Sequence, residues 1–255
     1  MFIATLHPVC LNQQDDVVLL HDEPIMTFAD RVIKFNRELD FKGVLPDDIN
    51  IMNPFRENPQ VNVISEQFYK KYYDDNNKRH LILGINPGRF GGGITGIPFT
   101  DPKRLKSVLG MNFEGKETHE PSSVFIYDMI DAFGGPAAFY SKFYIHSIFP
   151  LGFTSPGKNG KHVNYNYYDS KELTNAVYDA IINNIQKQIA LGSYTDTCFC
   201  FGTGKNENFL KKLNDEQGFF GKIVALEHPR FIMQYKAKTK QQYIGKYIAA
   251  FKSVL

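Results

Sequence analysis

HLILGINPGRFGGGITGIPF, residues 80–99, is the stretch of sequence that decides the fold of this chain. Its apolar run, 81–83, is too short for a helix and is typical of a buried β-strand. The strand must end at Asn86-Pro87-Gly88, because proline has no N–H to donate and glycine readily adopts positive φ. The glycine-rich loop that follows lies beyond the carboxyl end of the strand, where open α/β sheets bind their ligands. The sequence therefore predicts a central strand that leads into a binding loop.

Helices and strands alternate along the rest of the chain. Apolar residues at helical spacing predict helices over 61–73, 170–190, 207–213 and 234–251, and shorter helices that open at Asp101 and Glu120. Short apolar runs predict strands over 143–150, 198–201 and 223–226, and the Gly, Lys and Ser residues of 152–162 predict a loop. This alternation predicts an α/β fold of three layers, α/β/α, with a mostly parallel four-stranded sheet.

Domain organisation follows from length and composition. The chain has 255 residues, of which 43% are hydrophobic and 22% charged, as in ordinary globular proteins. No internal repeat or low-complexity linker divides it. We expect a single domain over residues 1–255, with residues 1–45 forming a helical N-terminal extension that packs on it.

Cysteine content and hydropathy argue against several classes of protein. Three cysteines, Cys10, Cys198 and Cys200, are too few for a disulfide scaffold, a zinc site or a four-cysteine iron–sulfur cluster. Residues 1–8 carry no basic leader, and no apolar run approaches membrane-spanning length. We therefore expect a cytoplasmic protein that does not interact with a membrane.

The end of the chain is basic. From His228 onward there is no Asp or Glu, and the basic residues are Arg230, Lys236, Lys238, Lys240, Lys246 and Lys252. This skew would suit a polyanionic partner. The alternative is that these residues form a solvated helix face. Charge alone favours this alternative.

Three short stretches carry a family resemblance. Residues 84–91 (GINPGRFG) and 95–99 (TGIPF) form one motif, and residues 227–230 (EHPR) place a His-Pro pair after the last predicted strand. They resemble the uracil-DNA glycosylase superfamily, most closely its single-strand-selective monofunctional (SMUG-type) branch. The resemblance covers about residues 50–250. It implies a monomeric, monofunctional DNA glycosylase of base excision repair that hydrolyses the N-glycosidic bond of uracil or a related deaminated base in DNA, without a metal ion or other cofactor.

The resemblance assigns the catalytic roles to two residues. Asn86 would position the attacking water, and His228 would donate to O2 of the departing pyrimidine as negative charge builds there. A neutral amide suffices for the water, because an oxocarbenium-like sugar is already reactive. Each residue also has a structural interpretation: Asn86 could hydrogen-bond its own loop, and a histidine that caps a strand is usually structural.

The resemblance also implies which residues bind the base: Ile85, Gly88, Phe90, Phe99 and Ser147. Phe99 would stack on the flipped base, although it could equally be a core residue. Ser147 stands where the branch usually has an asparagine that reads the Watson–Crick edge of uracil. A hydroxyl cannot present both the donor and the acceptor of a carboxamide. We therefore predict weaker or broader base discrimination.

Contacts with DNA are expected from Arg230, Phe231, Ile232, Lys158 and Lys205. A base in duplex DNA leaves the stack at a cost of roughly a few kcal/mol, and apolar side chains commonly fill the gap. Phe231 or Ile232 would be this wedge, and Arg230 would meet a phosphate. Both apolar residues could instead begin the core face of the last helix, because the Ser-Pro of the family loop is missing here.

Two other functions remain to be weighed. The chain could be a catalytically weak DNA- or nucleotide-binding protein of the same fold. Residues 152–159 (GFTSPGKN) nearly form a phosphate-binding P-loop, but Asn159-Gly160 replaces the required Ser or Thr and the helix that should follow. Nucleotide hydrolysis is therefore disfavoured.

Overall fold

A computed structural model describes residues 26–115 and 117–255. In chain order its elements are α1 Phe28–Arg37, β1 Asn50–Met52, α2 Pro54–Glu57, α3 Pro59–Tyr73, β2 Arg79–Gly84, α4 Gly92–Thr95, α5 Pro102–Ser107, α6 Pro121–Phe133, α7 Pro136–Tyr140, β3 Phe143–Ser147, β4 Gly152–Pro156, β5 His162–Tyr165, α8 Lys171–Ala190, β6 Ser193–Phe201, α9 Lys205–Gln217, β7 Lys222–Leu226, α10 Pro229–Tyr235 and α11 Lys240–Lys252, with a 3₁₀ turn at Ala237–Thr239.

Four parallel strands form the central sheet, in the order β3-β2-β6-β7. Leu81, Ile82 and Leu83 of β2 are completely buried. An unbroken apolar run of this kind is what a strand covered on both faces requires. The predicted fold class and the strands predicted around 81–83, 143–150, 198–201 and 223–226 are confirmed.

Helices cover both faces of this sheet. Phe28 of α1 packs on Tyr144 of β3, with ring centroids 5.3 Å apart, and Phe251 of α11 packs on Phe143, at 4.8 Å. Because neighbouring residues of a strand point to opposite faces, α1 and α11 lie on opposite sides of β3. The three-layer arrangement predicted from the sequence follows from this alternation.

Local sequence explains where the helices begin. The side chain of Ser170 accepts a hydrogen bond from the Leu173 N–H at the start of α8, and Thr27 and Asp30 form a capping box at the start of α1. The predicted helices 61–73 and 170–190 are confirmed as α3 and α8, and 207–213 lies within α9. None of the helices in the described ranges is long and apolar enough to cross a membrane.

The N-terminal extension is described only in part. Its helix α1 packs against α3, as expected of an extension that lies on the domain. Residues 1–25, which include Cys10, lie outside the described residues. The assignment of residues 1–255 to one domain therefore stays a prediction.

The prediction of a loop over 152–162 is wrong. β4 and β5 form an antiparallel hairpin that pairs with β1 in a separate three-stranded sheet. The Gly157 N–H donates to the Lys161 carbonyl at 2.8 Å, which closes the turn. The P-loop interpretation is wrong for the same reason, because a second strand and not a helix follows the turn.

The single helix predicted over 234–251 is also wrong. The chain leaves helical geometry at Lys236, so α10 and α11 are separate helices. Ile232 of α10 and Phe251 of α11 are both completely buried. Because the chain breaks at Lys236, each of the two helices turns its own apolar face to the core.

Candidate active site

Three parallel strands end at one edge of the sheet, and the residues that follow them line one cavity. Asn86 comes two residues after β2, Ser147 is the last residue of β3, and His228 comes two residues after β7. All three line a cavity of about 280 Å³. This is the edge at which open α/β sheets place their sites. The two residues predicted to be catalytic are thus brought together.

The carboxamide of Asn86 is held by the hairpin. Its Nδ2 donates to the Tyr165 carbonyl at 3.0 Å, and its Oδ1 accepts from the Tyr167 N–H at 3.1 Å. These partners lie at the end of β5 and just after it, so Asn86 does not simply bond its own loop. The two bonds fix the rotation of the amide and leave one lone pair of Oδ1 available to a ligand.

His228 is the N-cap of α10. Its Nδ1 accepts a hydrogen bond of 3.1 Å from the Arg230 N–H, so in the neutral ring the proton is on Nε2. Burial, aided by the charge of Arg230, lowers the pKa of His228 to about 4. At neutral pH the ring is therefore an uncharged donor whose active tautomer is set by the backbone.

Phe99 forms an aromatic wall beside His228, with ring centroids 5.7 Å apart. Its backbone adopts a φ of 53°, which is uncommon for an aromatic residue. The Thr95 hydroxyl holds this turn, since it donates to the Thr100 carbonyl at 2.7 Å and accepts from the Ile97 N–H at 3.2 Å. These two bonds support the turn that presents the Phe99 ring to the cavity.

Glu120 is a member of the cavity wall that the sequence did not reveal as a site residue. Its backbone N–H donates to Asp101 Oδ2 at 2.8 Å, while its carboxyl forms no hydrogen bond with any residue that the structure describes. Burial and the charge of Asp101 raise the pKa of Glu120 to about 7, and Arg230 acts in the opposite direction. The cavity thus contains a carboxyl group that titrates near neutral pH.

The glycines of the loop make room for this carboxyl group. A β-carbon at Gly91 would lie 1.9 Å from Glu120 Oε2, and one at Gly88 would lie 3.3 Å from Glu120 Oε1. A side chain at position 91 would therefore displace the flexible carboxyl end of Glu120 from the place that it occupies beside Gly91.

Three further lining residues are Asn164, in β5, and Asn166 and Tyr168, which follow the end of that strand. They alternate with Tyr165 and Tyr167 in the stretch VNYNYY, residues 163–168. Alternation with a period of two is the signal of a strand with two different faces, and it would have identified this part of the site.

Four of the five residues predicted to bind the base line this cavity: Ile85, Gly88, Phe99 and Ser147. Phe90 does not line it and lies instead on a neighbouring cavity. The structure therefore places Phe90 beside the neighbouring cavity and not in the cavity that contains Asn86, and its role in binding the base stays a prediction. The base-binding roles of the other four residues stay predictions.

The residues predicted to contact DNA separate into three groups. Arg230 and Phe231 line the cavity, and Phe231 is 41% exposed. Ile232 is completely buried, so its prediction as a DNA contact is wrong: helix α10 directs it into the core. Lys158 in the hairpin turn and Lys205 at the start of α9 are exposed but do not line the cavity.

The basic C-terminal segment is partly neutralised by acidic partners. Lys240 pairs with Asp128, and Lys246 pairs with Glu227 at 2.8 Å. For these two lysines the interpretation as a solvated helix face is the better one. Arg230, at the cavity, is the basic residue of this segment that is placed to meet a ligand.

Comparisons with known proteins agree with this geometry. The family model of the uracil DNA glycosylase superfamily matches residues 70–252. The crystal structure of wild-type Pedobacter heparinus SMUG2 is similar, with 64% sequence identity and a TM-score of 0.88, and the match covers 90% of this chain and 99% of that one. A search of curated proteins finds no match. The chain therefore belongs to the uracil DNA glycosylase superfamily and is of the SMUG type, as the sequence predicts.

Proposed function

We propose that this protein is a monofunctional DNA glycosylase that removes uracil or a related deaminated base from DNA and leaves an abasic site. The observation that carries the proposal is the convergence of Asn86 and a neutral, Nε2-protonated His228 on one cavity. Membership of the family and the similarity to SMUG2 support it.

His228 is suited to stabilise the leaving base. The N-glycosidic bond breaks with positive charge on the sugar and negative charge on the base, and a fixed donor aimed at that charge lowers the barrier. A neutral imidazole donates from Nε2 and needs no proton from solution, since the pKa of His228 is about 4. The Arg230 N–H on Nδ1 keeps this donor in place throughout the reaction.

Asn86 is suited to orient water. Its Oδ1 keeps one unused lone pair, and the contacts with Tyr165 and Tyr167 prevent the amide from rotating. Because the sugar becomes strongly electrophilic as the bond breaks, orientation of the water is sufficient and a charged base is not required. Among the residues that the structure describes, no lysine lines the cavity, so we expect hydrolysis without strand cleavage.

The walls of the cavity suit a single flipped nucleobase. The ring of Phe99 offers a stacking surface next to His228. Ser147 presents a hydroxyl that can rotate to donate or accept, so it suits more than one base edge. Phe231 is exposed at the cavity. It is the candidate wedge that fills the gap left in the base stack when the base is flipped out.

The experiment that tests the proposal uses a labelled oligonucleotide that contains uracil, followed by hot alkali. We expect alkali-dependent cleavage in EDTA, and a loss of about 10²–10³-fold in single-turnover rate for Asn86→Ala and His228→Ala. His162→Ala, in the exposed hairpin, is the matched control and should keep the parent rate.

A catalytically weak DNA- or nucleotide-binding protein is the competing function. It predicts retention of the oligonucleotide in a binding assay with no alkali-labile site for uracil, hypoxanthine, xanthine or hydroxymethyluracil. That result, or full activity of Asn86→Ala, would overturn the glycosylase proposal.

A further inference from the structure

A second cavity, of about 490 Å³, lies directly beside the first. Four residues line both cavities and form a shared wall: Glu120, Asn164, Arg230 and Gln234. Arg89 and Phe90, from the glycine-rich loop, line the second cavity and are absent from the first. A ligand that extends beyond the first cavity across this wall would enter the second one.

The ring of Phe90 is exposed to solvent and does not belong to the hydrophobic core. It is 45% accessible, and the guanidinium carbon of Arg89 lies 4.5 Å from its ring centroid. Its backbone is nevertheless held, because the Thr118 hydroxyl donates to the Phe90 carbonyl at 2.7 Å and the Arg89 N–H donates to Asn164 Oδ1 at 3.0 Å. An aromatic ring held at the surface with an arginine on it is a ready stacking platform.

The charge of the second cavity favours a phosphate. Neither Arg89 nor Arg230 forms an ion pair with any residue in the described ranges. His119 also lines the cavity, where its Nδ1 accepts a hydrogen bond of 2.9 Å from Arg104, and within the described ranges Glu120 is the one acidic side chain that lines it. Cations combined with an aromatic ring are what proteins use to hold unpaired nucleotides.

We propose that the second cavity binds the nucleotide next to the excised one in the same strand, with its base on Phe90 and Arg89 and a phosphate near Arg230. This inference rests on the proposed function, since it places the excised base in the first cavity. It gives Phe90 a role different from the one the sequence predicts: Phe90 contacts the neighbouring base and not the one removed.

The test is a double-mutant cycle on DNA binding. The ring of Phe90 and the base next to uracil are removed separately and together, and the effects on binding are compared. Single-stranded oligonucleotides carry uracil with an abasic tetrahydrofuran residue on its 5′ or its 3′ side, and binding is measured by fluorescence anisotropy. For the parent protein, we expect loss of the neighbouring base on one side to weaken binding about 5- to 150-fold, the equivalent of roughly 1–3 kcal/mol for one stacked base. For Phe90→Leu, the same deletion should change binding less than about 2-fold, because the stacking partner is already gone.

Controls separate a local effect from a general one. Tyr194→Leu removes another exposed ring, which stacks on His80 near the amino ends of the strands, and it should behave as the parent. Should Phe90→Leu fail to fold, as judged by circular dichroism, Arg89→Gln provides a second cycle that leaves the ring in place and should reduce the coupling.

The outcomes distinguish this inference from the proposed function. Equal sensitivity of the parent and Phe90→Leu to the missing neighbour, or no sensitivity in the parent on either side, would overturn the subsite even if uracil is excised normally. Coupling in the binding assay without excision of any tested base would support the subsite and overturn the glycosylase proposal.

Discussion

The backbone N–H of Arg230 donates a hydrogen bond of 3.1 Å to Nδ1 of His228, two residues earlier in the chain. This bond begins helix α10 and, at the same time, leaves Nε2 as the protonated nitrogen of the ring. One side chain therefore has a structural and a chemical role. Because the two roles use different nitrogens, substitutions can separate them.

We expect His228→Asn to lose activity and keep stability. Asparagine is a good N-cap, so the start of α10 should be preserved, but its shorter side chain cannot place a donor where Nε2 lies. His228→Ala should lose both, with a further cost of about 0.5–2 kcal/mol in stability. Single-turnover excision and thermal unfolding of the two variants measure this separation. Parent-like excision by His228→Asn would contradict the role of Nε2.

The base preference is expected to depend on Ser147. Its replacement, Ser147→Asn, introduces a carboxamide with one donor and one acceptor, which can pair with the N3–H and O4 of uracil. Hypoxanthine and xanthine present the same pair of groups, N1–H and O6, so discrimination against them comes from the larger side chain, which leaves less room for a purine. We predict a higher ratio of uracil excision to hypoxanthine or xanthine excision, measured as relative kcat/KM. Ser147→Ala is the control for loss of the hydroxyl alone. An unchanged ratio in Ser147→Asn would show that another residue reads the base.

The catalytic edge of the sheet could be predicted from the sequence because it depends on local pattern and on one rule of topology. The buried run of β2 and the Pro-Gly that ends it are adjacent in sequence. Parallel strands end at a common edge, so Asn86 and His228 were expected at the same edge once both strands were recognised, and the order β3-β2-β6-β7 places a single strand between theirs. Neither inference required knowledge of side-chain packing.

The remaining parts of the site depend on packing between distant segments. Glu120 belongs to the site because its carboxyl fits against Gly91, which no local pattern encodes. Ile232 is predicted as a DNA contact but is buried. The residues of a short helix that face the core are determined by the packing of that helix, and α10 contains only seven residues. The hairpin was missed because its turn residues, 157–160, resemble a loop, although the alternation in 163–168 was present.

The stability of the protein should depend on pH through Glu120. The pKa of this carboxyl is about 7 in the folded chain against an ordinary value of 4.5, so between these pH values the unfolded chain binds fewer protons than the folded one. Stability should therefore fall as pH rises from 4.5 to 7 and then stay level with respect to this group. Glu120→Gln has no charge to desolvate, so its melting temperature should exceed that of the parent at pH 8 and approach it at pH 4.5.

Two nearby charges must be considered in that experiment, because Asp101 raises the pKa of Glu120 and Arg230 lowers it. Glu117→Gln is a suitable control, since Glu117 is exposed and close in sequence. It should leave the difference between pH 4.5 and pH 8 as in the parent. A constant difference between Glu120→Gln and the parent at all pH values would show that the carboxyl does not titrate in this range.

Phe231 should contribute more to the excision of uracil from duplex DNA than from single strands. A base in a duplex must be unstacked before it reaches the cavity, whereas an unpaired base needs no wedge. We predict that Phe231→Ala lowers excision of uracil from duplex DNA about 10-fold or more, because the unstacking cost is roughly a few kcal/mol, and changes excision from single strands little. Phe231→Leu retains an apolar wedge and should fall between the parent and the alanine variant.

The buried neighbour provides the contrast for this prediction. Ile232→Val keeps the core filled apart from one methylene, at a cost of about 0.5–1.5 kcal/mol in stability, and should leave the ratio of duplex to single-strand excision unchanged. The ratio is the decisive measurement, because a folding defect lowers both rates together. Equal losses of Phe231→Ala on duplex and single strands would assign Phe231 to general DNA contact, since a wedge acts only where a stack has to be opened.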